Sequence, residues 1–507
     1  MSSSSPVDTY LRAIYERWQG DESGAVADYI PPLALADPGW FGIAIATTDG
    51  HCYEVGETRR AFTIQSISKP FTYGLALADL GFEVVDAKVG VEPSGDAFNS
   101  ISLAPDTGRP LNPMINAGAI TSSSLVAGES AAERERRIAA AYGRFAGREL
   151  EVDTAVYESE RDTGHRNRAI GHMLRGFGIL ETDPEEALDL YFRQCSVAVE
   201  CRDLSLMAAT LANGGVNPLS GERALEREHV DRVLSVMTTC GMYDSAGEWV
   251  VDVGMPAKSG VAGGILAVLP GQLGIAVFSP PLDPHGNSVR GVEVCRQVST
   301  DLDLNLLHVA RSSRTAVRRT YTVADVPSRR RRPEGQCSLL DWVGHRCLVH
   351  VLHGDLVFAA MESVVRTLVE GAEEIEIAVI DLTEVTEMDL AAARLLVALG
   401  VWLEERDATL VVVAAEDSDL LEAIPGEAFQ RFNDLDAASE WCEERLLAEH
   451  GSPAADDERL SLAEHRLSPA ASTRRRWTAL SRSSSRAPSP STRPSSPPAI
   501  RRLTSSS

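Results

Sequence analysis

The sequence predicts a multidomain chain, α/β or α+β in its first part and α/β in its second, closed by a disordered tail. Three observations carry that prediction. The chain has 507 residues, long for one domain and natural for two or three, with 44% hydrophobic residues to fill packed cores. A basic, Pro-bearing stretch from RSSRTAVRR to SRRRRPEG separates two ordered blocks and reads as a linker over 308–335. From Gly451 the chain turns rich in Ser, Pro and Arg, as in SRSSSRAPSPSTRPSSPP, and cannot bury enough apolar surface to fold alone.

Block one, residues 1–307, is continuous and punctuated by glycine. Helical spacing marks Ala131 to Tyr142 and Leu204 to Ala212. Strand-like runs cover Trp40 to Thr47 and Gly274 to Ser279. Block two, 336–449, alternates strand and helix. His345 to Leu356 reads as a strand pair and Val357 to Val369 as a helix. Ile375 to Leu382 reads as a strand, Asp389 to Glu405 as a long helix, and Ala408 to Ala414 as a further strand. The tail, 450–507, breaks in composition so sharply that a reading-frame change near its start is a second reading, which the gene sequence would settle.

Net charge is −25, which argues against nucleic acid or an anionic membrane as the main partner. The charge is uneven: from Arg466 onward there are nine arginines and no acidic residue. Eight cysteines are scattered, with neither a C-x-x-C nor a Cys/His cluster. They read as reduced thiols in a cytoplasmic protein, and no metal or cofactor is expected. The N-terminus lacks the basic and apolar regions of a signal peptide, and no stretch suits a membrane span.

The chemistry begins at QSISKPF, residues 65–71. Lys69 is one of three lysines, with Lys88 and Lys258, in a chain whose other Lys+Arg residues are all arginine. Ser66 and Lys69 stand three apart, which predicts one face of a helix starting near Ser66. Pro70 suits a first turn. A neutral lysine can take a serine proton if burial or a nearby cation lowers its pKa. Arginine cannot, because it stays protonated. Farther on, PAKSGVAGG holds Lys258-Ser259-Gly260, like the K-[ST]-G element that accompanies S-x-x-K in penicillin-recognising enzymes. The pair in this order is far more specific than either element alone.

With these motifs in place, block one resembles the serine-dependent glutaminases, which have a serine β-lactamase/transpeptidase-like fold. The resemblance runs through GAVADYIPPLA, FTIQSISKPF, LNPMINAGAI, SERDTGHRNRAI, DLYFRQCS, LANGGVNP, TCGMYDSAGEW, MPAKSGVAGGI and GNSVRG, and covers residues 8–305. It implies hydrolysis of L-glutamine to L-glutamate and ammonia, with Ser66 as nucleophile and Lys69 as its base. It implies an oxyanion hole at the N–H groups of Ser66 and Val261, and an electrostatic role for Lys258. Asn116, Glu160 and Asn167 would hold the α-amino and α-carboxylate groups, with Tyr29, Tyr191 and Tyr243 around the site. Either Tyr243 or Tyr29 would give the leaving ammonia its proton. Taken singly, the asparagines read as turn residues, Tyr191 as a core tyrosine and Glu160 as a solvated charge. The resemblance also implies a homo-oligomer, dimer or tetramer.

AVIDLTEVTEMDLAAARLLVAL, residues 378–399, makes block two similar to a STAS domain. It implies a protein partner. The place for a phosphorylatable serine after Asp389 holds Leu390 and Ala391, so no phosphorylation switch is expected there. Two other functions fit parts of the chain. One is a STAS-based regulator with the enzyme domain as an amino-acid sensor. The other is a β-lactamase or D,D-peptidase, against which stand the missing export signal and the absence of an S-D-N or Y-x-N element.

Overall fold

The computed structural model describes residues 5–95, 101–307, 316–371, 374–415, 420 and 429–451. The predicted tail therefore lies outside the described residues, apart from its first two positions. The strands are β1 (Gly42–Thr47), β2 (Cys52–Gly56), β3 (Phe62–Thr63), β4 (Ala198–Val199), β5 (Ala257–Gly260), β6 (Gly264–Leu269), β7 (Leu273–Phe278), β8 (Val317–Thr322), β9 (Cys347–Leu356), β10 (Ile377–Met388), β11 (Thr409–Val413) and β12 (Gln430–Phe432). The helices of the first block are α1 (Pro6–Trp18), α2 (Lys69–Lys88), α3 (Asn116–Ser124), α4 (Ala131–Ala146), α5 (Thr154–Thr163), α6 (His165–Gly176), α7 (Pro184–Cys195), α8 (Cys201–Ala212), α9 (Arg227–Cys240), α10 (Ala246–Asp252) and α11 (Val289–Leu302). Those of the second are α12 (Glu334–Val343), α13 (Phe358–Glu370), α14 (Leu390–Glu404) and α15 (Leu435–His450).

The first block is built on one antiparallel sheet in the order β2-β1-β7-β6-β5. β1, β6 and β7 are buried along their whole length, so both faces must be covered. Helices α1 and α11 cover one face, where Leu11, Ile45, Ile275 and Val298 share a core. Helix α8 covers the other, where Leu204, Met207, Leu266 and Ala276 meet. The approach of α8 is close: a Cβ on Gly274 would stand 2.3 Å from the Ala209 nitrogen. Helices α2 to α7 and α9 form a second lobe beside that face. The edge strand β5 carries Lys258 toward this lobe, and α2 starts there with Lys69.

The second block is a sheet in the order β12-β11-β10-β9-β8. Strands β9 to β12 are parallel, as alternating strands and helices require, and β8 is antiparallel to β9. The expected strand pair over His345 to Leu356 is a single strand, β9. A larger difference concerns 308–335, read above as a linker. Residues 317–322 are a strand of the second sheet, and Arg332 makes a buried ion pair with Glu443 at 2.7 Å. VRRTYT is a solvated edge strand, so its arginines point outward and its composition mimics a linker.

The two blocks share one apolar core. Leu11 and Ile14 of α1 and Phe358, Met361 and Leu396 of the second block belong to the same cluster. Polar links reinforce the seam. The Tyr53 hydroxyl donates to the Glu362 carboxylate, and Arg366 reaches Asp49 and, at 3.1 Å, Glu362. A cavity of about 310 Å³ lies along the seam, lined by Thr47, Asp49, Gln272 and Glu362 among others. All eight cysteines are free thiols, as expected. No described helix is long and apolar enough to cross a membrane.

Candidate active site

The Ser66–Lys69 segment folds differently from the helix that spacing predicts. Residues 65–68 form a single 3-10 turn, and the α-helix starts only at Lys69. The i, i+3 relation survives, because side chains three apart eclipse in a 3-10 turn. The turn is entered through Gln65 at φ 51°, a left-handed conformation costly for a residue with a side chain. Pro70 lies in the first turn of α2, as expected. Gly260 of β5 packs on the same turn: a Cβ there would stand 2.9 Å from the Ile64 carbonyl oxygen. The small residue after Lys258-Ser259 therefore lets β5 meet the Ser66 turn.

Above the turn opens a cleft of about 330 Å³. Seven of the expected residues line it: Tyr29, Ser66, Asn116, Glu160, Asn167, Tyr191 and Val261. Three more lie beneath or beside it, wholly buried: Lys69, Lys258 and Tyr243. Lys69 Nζ donates to the Met114 carbonyl oxygen at 3.1 Å and to Asn116 Oδ1 at 2.7 Å. Burial lowers its pKa to about 8, against a smaller opposing pull from Cys195 and Glu160. Lys258 Nζ donates to the Ser259 carbonyl oxygen at 2.9 Å. Burial, and then the charge of Lys69, hold its pKa well below the usual lysine range. The Tyr243 ring sits close to both amines, 3.7 Å from Lys258 Nζ and 5.5 Å from Lys69 Nζ. Its side chain also interacts with Ser66, and Tyr243 itself is left-handed, at φ 55°.

Asn116 is the hub of the floor. Its Oδ1 also accepts from the Tyr191 hydroxyl at 3.2 Å, and its Nδ2 donates to Asn167 Oδ1 at 3.0 Å. Glu160 is 7% exposed, not the solvated charge its neighbour Arg161 suggests. Burial raises its pKa to about 7, offset in part by a hydrogen bond from Gln65 and the charge of Lys69. Its Oε1 has no hydrogen-bond partner among the described residues. Such a carboxylate oxygen is costly unless a donor arrives. Tyr29 stands at the mouth, half exposed. Sequence reasoning missed Gln65 and Arg166, which also line the cleft. Each is adjacent to a named residue, Ser66 or Asn167, but only the fold shows that both face the same space.

Fold and cleft define a class first: a two-part mixed α/β protein with an open cleft lined by polar residues at the junction of its first sheet and a helical lobe. Comparison with known proteins narrows it. The Glutaminase family matches residues 24–307, and the STAS domain matches residues 343–420. Glutaminase 1 of Bradyrhizobium diazoefficiens is 44% identical over 471 residues, 92% of this chain and 76% of the relative. A glutaminase of Microcystis aeruginosa is 53% identical over 309 residues, 61% of this chain and 91% of the relative. The solved structure of Mglu has a TM-score of 0.59 at 42% identity, covering 82% of this chain and 98% of its own. Mglu in its glutamate form has the same TM-score at 38% identity, covering 82% of this chain and 99% of its own. The chain belongs to the glutaminase family: it is a hydrolase acting on glutamine, and it carries a STAS domain.

Proposed function

We propose that the cleft hydrolyses L-glutamine through a glutamyl-serine ester on Ser66, with Lys69 as the base. One observation carries this reading: the placement of Lys69 Nζ. A neutral amine has two hydrogens and one lone pair. The Met114 carbonyl and Asn116 Oδ1 take both hydrogens, which leaves the lone pair for the Ser66 proton. A pKa of about 8 keeps a useful fraction of the amine neutral near neutral pH.

The steps follow from the residues present. The substrate ammonium pairs with Glu160, whose free Oε1 supplies the acceptor. Asn167, with Asn116 behind it, receives the α-carboxylate. Ser66 Oγ attacks the γ-carbon as its proton passes to Lys69, and the resulting oxyanion sits against the N–H groups of Ser66 and Val261. Collapse breaks the C–N bond as a tyrosine gives the nitrogen a proton and ammonia leaves; Lys69 passes the proton it took from Ser66 to that tyrosine and is neutral again. Water then adds to the ester, giving its proton to Lys69, and glutamate departs with Ser66 restored. Tyr243 suits the proton donor better than Tyr29, because it interacts with Ser66 and its ring lies within 5.5 Å of both amines while Tyr29 lies at the mouth. Lys258 is a second buried amine beside the pair, and burial and the charge of Lys69 both favour its neutral form. Ser66→Ala should abolish ammonia release from glutamine while leaving glutamate binding measurable by calorimetry. Retained turnover would overturn the reading.

Homo-oligomerisation and a separate protein partner for the STAS domain rest on the resemblance alone. Sedimentation of the full chain tests the first, and a pull-down with the intact protein tests the second.

A further inference from the structure

Behind the nucleophile turn lies a buried polar ring that none of the steps above uses. Ser68 is the second serine of QSISKPF, next to Lys69. Its Oγ donates to the Gln65 carbonyl oxygen at 2.6 Å, which ties it to the left-handed residue that precedes Ser66. Having spent its only hydrogen there, Ser68 Oγ meets Gln194 as an acceptor, from Nε2 at 3.4 Å. Gln194 Oε1 lies 2.8 Å from Thr72 Oγ1 and 3.0 Å from Ser123 Oγ, both of which donate to it. The Tyr142 hydroxyl closes the ring, 2.6 Å from Thr72 Oγ1 and 3.0 Å from the Ser68 carbonyl oxygen. Ser68, Thr72, Ser123, Tyr142 and Gln194 are each at most 1% exposed. The ring thus ties α3, α4 and α7 to the turn.

So many polar groups buried together are costly unless the arrangement is fixed. An apolar core would fill the same volume without that cost. We propose that Ser68 and Gln194 are positioning residues: together they hold the left-handed entry at Gln65 and so keep Ser66 Oγ aimed at Lys69 Nζ. Neither touches the substrate cleft. The inference rests on the reading of Ser66 and Lys69 as the reacting pair. It adds that the pair is competent only while the turn is held from behind. Misplacement of a reacting atom by about 1 Å costs on the order of 100-fold in rate, with ground-state binding little changed.

The test uses Ser68→Ala, which removes one oxygen, and Gln194→Met, which keeps the length and removes the carboxamide. In the full chain, kcat should fall about 10–100-fold, while KM and the calorimetric Kd for glutamate stay at the parent values. Unchanged kcat in folded variants would overturn the proposal. So would a fall in kcat matched by weakened glutamate binding, or failure of Ser68→Ala to fold, since either marks a structural role only. If Gln194→Met alone fails to fold, Ser68→Ala decides. Ser66→Ala run alongside separates the two readings. If it is inactive while Ser68→Ala is like the parent, only the positioning role fails. If it is active, the Ser–Lys reading fails first.

Discussion

At the seam between the two blocks, buried Glu362 meets the Tyr53 hydroxyl and Arg366, and Arg366 continues to Asp49. In the cleft, Lys69, Lys258 and Glu160 lie equally deep, but the lysines lean on carbonyl and carboxamide oxygens and Glu160 keeps one oxygen unpartnered. The first arrangement compensates its charges inside the protein. The second leaves Glu160 Oε1 without such a partner among the described residues. Burial displaces pKa values at both places, raising that of Glu362 at the seam and, in the cleft, lowering that of Lys69 to about 8 and raising that of Glu160 to about 7. The contrast separates buried charge that holds a structure from buried charge that awaits a substrate.

The contrast can be broken at either end. Lys69→Arg keeps the positive charge but cannot accept a proton. It should lower kcat by about 10²–10⁴-fold, the range for loss of a general base, as read from ammonia release. At the seam the effect should fall on stability. Glu362→Ala should cost about 3 kcal/mol, the low end for breaking a buried ion pair, because Arg366 keeps Asp49. Denaturant unfolding measures this, and kcat in the folded fraction should hold. Glu160→Gln tests the cleft's waiting carboxylate. Loss of a charged hydrogen bond of about 1.5–3 kcal/mol predicts a 10–100-fold drop in kcat/KM. That drop should appear mainly as a higher KM, and an asparagine substrate control would show whether it is general.

The pH profile sharpens the same comparison. Lys69 must be neutral to accept a proton, so activity is lost as pH falls through about 8. Glu160 must be ionised to pair with ammonium, so binding is lost as pH falls through about 7. Both signs agree: kcat/KM should rise with pH and level off above about 8, with about tenfold loss per unit between about 8 and 7 and a steeper fall below about 7, where Glu160 also takes a proton. A profile flat from pH 6 to 9 would contradict both assignments. The smallest effect belongs to the second block. Asp389 caps α14 through Ala392 N and also accepts from Phe358 N at 3.2 Å, the start of α13. Asp389→Ala should cost about 1–2 kcal/mol of stability, as for other N-caps, with no change in KM.

Local chemistry is legible in a sequence when it lies between near neighbours. Pro70 in a first turn is of that kind and stands as read, and the three-residue spacing of Ser66 and Lys69 survives although a 3-10 turn replaces the expected helix. Two readings failed for a common reason. VRRTYT was assigned to a linker because its arginines are polar, yet an edge strand exposes polar side chains by design of the sheet. Glu160 looked solvated because Arg161 follows it, but adjacent helical residues face different directions, and only Glu160 points inward.

By itself the sequence determined which residue types could do the chemistry. Of the chain's lysines and arginines, only lysine could give up its proton and act as a base, and its pairing with a serine and a later Lys-Ser-Gly gave it a partner. Tertiary structure decided how strongly each group acts. The pKa of Lys69 depends on burial, and the turn that follows Ser66 is contacted from α3, α4 and α7 through the buried polar ring. These contacts link residues tens to more than a hundred positions apart, as between Ser68 and Gln194. Desolvation and long-range hydrogen bonds arise only once the chain has closed around them, so no local pattern in the sequence can encode their strength.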